Sequence, residues 1–164
     1  MRPDAAASSA ASIGPATPIR IAIAGEHPIF RHGLRRLLEA EPGFAIVGEE
    51  ADGSRADALT READPDVLLL GSASSGRPFV DTIRTLRTSE TRAHIVLLSD
   101  RIDTPEVSTA LELGARGVVL KDSTPDVLFA CIRRVMVGYI WLVHGEAPRP
   151  GLRTASVLSE PICV

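Results

Sequence analysis

Lysine is almost missing from this chain. Of its 18 basic residues only Lys121 is lysine, which leaves 18 − 1 = 17 arginines. A composition that avoids lysine everywhere else hints that the ammonium group has a role at this one place. Cysteine is scarce too. The two, Cys131 and Cys163, lie far apart and make no metal-binding spacing, which excludes a zinc module and a disulfide scaffold and fits a reducing, cytoplasmic setting. Cys131 sits in an apolar helical pattern and reads as a small core residue. No run approaches the ~18 apolar residues that a membrane span requires. Residues 1–18, rich in Ala, Ser and Pro, have no continuous apolar stretch, so they read as a disordered leader and not as a secretory signal. Net charge is −3, with no basic excess to draw nucleic acid by bulk electrostatics. No internal repeat and no G-x-G-x-x-G occur.

What is present is a set of short apolar runs. Asp66-Val67-Leu68-Leu69-Leu70-Gly71 has four apolar residues in a row between turn-forming segments, the mark of a strand buried on both faces. Ile19 to Ala24, His94 to Ser99 and Gly117 to Lys121 resemble it, and Phe44 to Gly48 adds a fifth strand. Segments of helical period lie between them. Phe30, Leu34, Leu37 and Leu38 share one helical face, with Arg31, Arg35 and Arg36 read as a solvated face. Ser54 is placed to cap a second helix, with Ala56, Leu59 and Ala63 inward. Phe79, Val80, Ile83 and Leu86 form a third. The pairs Thr104-Pro105 and Thr124-Pro125 open a fourth and a fifth, a cap followed by proline at the first helical position. Gly114 and Gly138 close these two. Tyr139 to Val143 is a segment that can dock back on the domain.

Strict alternation of strand and helix predicts an α/β domain, a flavodoxin-like doubly wound parallel sheet of five strands in the order 2-1-3-4-5. Ligands and chemistry in such sheets gather at the carboxyl ends of the strands. Those ends hold Gly25 and Glu26 after strand one, Gly71 at strand three, Ser99 at strand four and Lys121 at strand five.

The stretches Ile23-Ala24-Gly25-Glu26-His27-Pro28-Ile29-Phe30-Arg31-His32-Gly33-Leu34, Ile46-Val47-Gly48-Glu49, Pro65-Asp66-Val67-Leu68-Leu69-Leu70 and Gly114-Ala115-Arg116-Gly117-Val118-Val119-Leu120-Lys121-Asp122 occur in that order. Over Ile19 to about Leu142 they resemble the receiver (CheY-like) domain of bacterial two-component response regulators, of the kind fused to a LuxR-type helix-turn-helix. The resemblance implies an acidic pair after strand one that holds Mg²⁺, an aspartate ending strand three that accepts a phosphoryl group, a Ser or Thr ending strand four and a lysine ending strand five. It also implies an aromatic switch residue shortly before that lysine. Ser99 and Lys121 match. Gly25 stands for the first acid and Glu26 for the second, Gly71 stands for the phosphoacceptor, and Val118 for the aromatic.

The departures can be weighed by chemistry alone. An acyl phosphate needs a carboxylate nucleophile and a divalent cation beside the phosphoryl oxygens. Gly71 has no side chain, and Glu26 without a second carboxylate makes a weak Mg²⁺ site at most, so no cofactor is expected. Ser72, Ser74 and Ser75 have no base to activate them. Gly71 to Pro78 imitates a phosphate-binding P-loop in position and in glycine spacing, but Arg77 and Pro78 stand where that loop needs Lys and Ser/Thr. His27 reads as a helix-entry residue; its spacing offers no partners for a metal. For Lys121 two readings stand: an ion pair with Glu26 across the emptied pocket, or a contact to an anionic ligand.

The expected function is accordingly that of a phosphorylation-independent pseudo-receiver, not an enzyme. It would act in signal transduction and transcription control through protein contact, as a homodimer or with a partner regulator. The alternative is a small-molecule sensor using the pocket among Glu26, Gly71, Ser99 and Lys121. Residues 143–164 have Gly, Pro and scattered Arg without a core pattern, and read as a tail with no DNA-binding domain.

Overall fold

The computed structural model describes residues 17–25, 27–71, 79–101 and 104–142. Strand β1 (Ile19–Ala24) leads to helix α1 (Pro28–Ala40), then β2 (Phe44–Glu50), a 3-10 turn (Gly53–Arg55) and α2 (Ala56–Ala63). There follow β3 (Val67–Gly71), α3 (Phe79–Thr88), β4 (His94–Ser99), α4 (Pro105–Glu112), β5 (Gly117–Leu120), α5 (Pro125–Met136) and β6 (Trp141–Leu142). The strands are parallel in the order β2-β1-β3-β4-β5-β6. The expected 2-1-3-4-5 core is therefore present. The segment after α5 docks as a short sixth strand, pairing Gly117 with Trp141 and Val118 with Leu142.

Strand pleating splits the apolar residues between two faces. Ile21, Ile23, Val67, Leu69, Val96, Leu98 and Val119 pack with α1 and α5. Ala22, Ala24, Leu68, Leu70, Ile95, Leu97 and Val118 pack with α2, α3 and α4. Val67 to Leu70 are all buried, as a strand covered on both faces requires. Cys131 belongs to the first layer, and burial pushes its thiol pKa up, so it serves as core packing.

Three local expectations are corrected. Leu37 on α1 is 44% exposed and not inward, while Leu34 and Leu38 carry the buried stripe. Arg31 does not belong to a solvated face, since its side chain is only 14% exposed. Ser54 does not cap α2, whose N-cap is Arg55 without a side-chain cap bond; Ser54 sits inside the preceding 3-10 turn, which Asp52 caps, its carboxylate accepting from the Ser54 N–H at 2.8 Å. Gly114 ends α4 with φ +107°, a left-handed conformation that a side chain would strain.

Candidate functional site at the strand ends

The register fixes what meets at the carboxyl edge. Ala24 pairs with Leu70, Gly71 with Leu98 and Ser99 with Leu120, so the residues following β1, β3, β4 and β5 converge there. Gly25, Gly71 and Lys121 line one cleft together with His27, Phe30 and Arg31. Its volume is about 10 Å³, room for about one water. Glu26 and the serines after Gly71 lie outside the described residues, so the expected Lys121–Glu26 pair does too.

Each wall has a local cause. A Cβ on Gly71 would lie 3.5 Å from the Gly25 Cα and 3.6 Å from the Ala24 carbonyl oxygen. A Cβ on Gly25 would lie 3.7 Å from the Gly71 Cα. These are ordinary contacts, and neither glycine has a left-handed φ. Side chains would thus be sterically admissible at both positions. Ser99 is buried, and its hydroxyl is turned to its own loop, donating to the Arg101 carbonyl at 2.6 Å and accepting from the Arg101 N–H at 3.3 Å. The Lys121 N–H donates to the Ser99 carbonyl at 2.9 Å, which brings that side chain to the edge. Its Nζ stands 3.4 Å from Asp100 Oδ2 and 5.7 Å from the centroid of the Phe30 ring. Val118 is fully buried in the layer facing α4. His27 is exposed and precedes α1 as its N-cap without a side-chain cap bond; its carbonyl accepts from the Arg31 N–H at 2.9 Å.

Sequence reasoning missed two participants. Arg31 donates from Nη1 to the Gly25 carbonyl at 2.6 Å and faces Glu49 at 3.8 Å, so α1 is tied to the loop after β1 by a charged side chain that enters the cleft. The signal was its position one turn after the helix start, which points a long side chain back towards the N-terminal end. Glu106 of α4 accepts from the Phe79 N–H at 2.6 Å, closing the first turn of α3 from a neighbouring helix. No local pattern announces a cap supplied from 27 residues away.

Positions 25 and 71 carry no oxygen-bearing side chain, and among the described residues no group of three His, Cys, Asp or Glu is placed to hold a metal.

Residues 21–133 match the family model described as the response regulator receiver domain. The chain belongs to that family. This receiver is 39% identical over 118 residues to the nitrate/nitrite response regulator NarP of Escherichia coli K12, covering 72% of this chain and 55% of the relative. It is 30% identical over 131 residues to NarL of the same organism, covering 80% of this chain and 61% of the relative. A solved two-component response regulator of the LuxR family from Aurantimonas sp. SI85-9A1 superposes with TM-score 0.68 at 34% identity, covering 74% of this chain and 86% of that one. The receiver therefore spans 55% and 61% of the two nitrate/nitrite regulators it matches. Its place is in response-regulator signal transduction, and the curated relatives it matches are named response regulators. Among the described residues no helix is long and apolar enough to cross a membrane.

Proposed function

We propose that this receiver works without phosphoryl transfer, as a pseudo-receiver that signals by contact with a second copy of itself or with a partner regulator. The observation that carries the reading is the facing pair Gly25 and Gly71 at the strand ends. Gly71 supplies no nucleophile, and Gly25 leaves Glu26 as a lone carboxylate for any divalent cation. The environment adds to this. The Ser99 hydroxyl is engaged with Arg101, Arg31 is tied to Gly25, and the cleft lined by Gly25, Gly71, Arg31 and Lys121 has room for about one water. That size weighs against the alternative of a ligand held among Gly71, Ser99 and Lys121. A cytoplasmic location and an output that does not require this domain to touch DNA belong to the same reading.

The reading is tested by oligomeric state. Light scattering coupled to size-exclusion chromatography should give the same mass distribution with and without acetyl phosphate and Mg²⁺. A change that requires both reagents and is reversed by a chelator contradicts it.

A further inference from the structure

We propose that the groove between α1 and the first turn of α5 binds a small amphipathic carboxylate, an aryl or branched apolar body bearing one carboxyl group. The groove measures about 190 Å³ and is walled by Phe30, Leu34 and Leu37 of α1, Leu98 and Val119 of the sheet, and Leu128 of α5. Apolar cavities of about 150 Å³ take up benzene-sized molecules, so this one has space for a ring and a short substituent. Of the described residues lining it, only Lys121 is charged, and it stands at one end beside Ser123 and Thr124.

That end suits a carboxylate for two separate reasons. The Lys121 side chain is 13% exposed, so an ion pair formed from the groove side is less screened than one on the surface. Thr124 precedes the 12-residue α5 without making a side-chain cap bond, so its hydroxyl is not spent on capping at a helix end that favours anions.

The groove also adjoins the strand-end cleft. Phe30, Leu34, Leu98 and Lys121 line both. An occupant would press on the Phe30 ring and draw the Lys121 ammonium towards itself, so binding would be felt where the family's chemistry is located. The groove does not depend on the pseudo-receiver reading, because its walls are the same whether or not position 71 accepts a phosphoryl group. Leu37 at 44% exposure and Ile29 at 90% make a second copy of the chain the competing occupant.

The test is a set of ¹⁵N-edited titrations of the full chain with phenylacetate, with 2-phenylethanol as the uncharged match, and with inorganic phosphate. Phenylacetate should give saturable shifts at the amides of Gly33, Leu37, Lys121 and Ser123. 2-Phenylethanol should bind about tenfold more weakly, the worth of one charge-assisted contact. Lys121→Gln should lose the preference for the acid, Lys121→Arg should keep it, and Leu37→Gln should weaken both compounds. If Lys121→Gln fails to fold, the comparison of the two compounds on the wild-type chain still decides. The proposal is overturned by unsaturable shifts, by equal affinity for acid and alcohol, or by inorganic phosphate alone saturating the same amides. It is equally overturned if those amides shift with protein concentration in the absence of any additive, which would make the groove an interface between copies.

Discussion

A Cβ built on Gly71 comes within 3.5 Å of the Gly25 Cα, so aspartates at both positions would hold their carboxylates side by side at the sheet edge. Like charges so close raise each other's cost of ionisation. The expected outcome for Gly25→Asp/Gly71→Asp is therefore a double mutant less stable than the sum of the two single changes by about 1 kcal/mol at neutral pH. Millimolar Mg²⁺ should remove that deficit in the double mutant and leave wild type unmoved, because only the double mutant offers the paired carboxylates a divalent cation needs. Denaturant melts of the four proteins with and without Mg²⁺ measure this. Additive effects, or stabilisation of wild type by Mg²⁺, would show that the strand ends are not as the two glycines suggest. At this scale the sequence was informative about what is missing and silent about what replaces it. That positions 25 and 71 are glycines is visible in the letters. The inward turn of Arg31 is not, because an arginine three residues into a helix reads as surface until the fold shows a carbonyl, that of Gly25, within its reach.

Among the elements, the two Thr-Pro pairs carry the same signal with different results. Thr104 Oγ1 accepts from the Val107 N–H at 3.2 Å and caps α4, whereas Thr124 makes no such bond before α5. Thr104→Ala should cost about 1 kcal/mol, the usual worth of a cap, and Thr124→Ala clearly less. Thermal or denaturant unfolding of both variants settles the comparison, and equal losses would contradict the assigned geometry. The pattern located both helices, since proline at the first position and an apolar stripe suffice for that. It could not tell which hydroxyl bonds, because that depends on backbone angles set by the preceding loop. The same limit explains the start of α2, where Asp52 and not Ser54 caps a 3-10 turn that no periodicity reveals. It also explains the Glu106 cap on α3, which arises from packing of α3 against α4.

For the whole molecule, alternation of short apolar runs with helical stripes was enough to give the doubly wound sheet and its order. Burial on both faces forces helices to alternate sides, and right-handed crossovers leave few topologies. β3 shows why this worked: four consecutive apolar residues, all buried, alternate between the two helical layers. β6 was foreseen only as a docking segment, because two residues are too few to show a period. The groove beside α1 was not foreseen, since it exists only where Leu37 turns outward at the rim between two helices that are distant in sequence. The account rests on one claim about the assembled strand ends, that they bring together a receiver's scaffold without its phosphoacceptor. The most direct measurement is intact-mass spectrometry after incubation with acetyl phosphate and Mg²⁺, run on wild type and on Gly25→Asp/Gly71→Asp in parallel. The account predicts an unchanged mass for wild type and a base-labile gain of one phosphoryl group for the double mutant; a base-labile gain on wild type would contradict it.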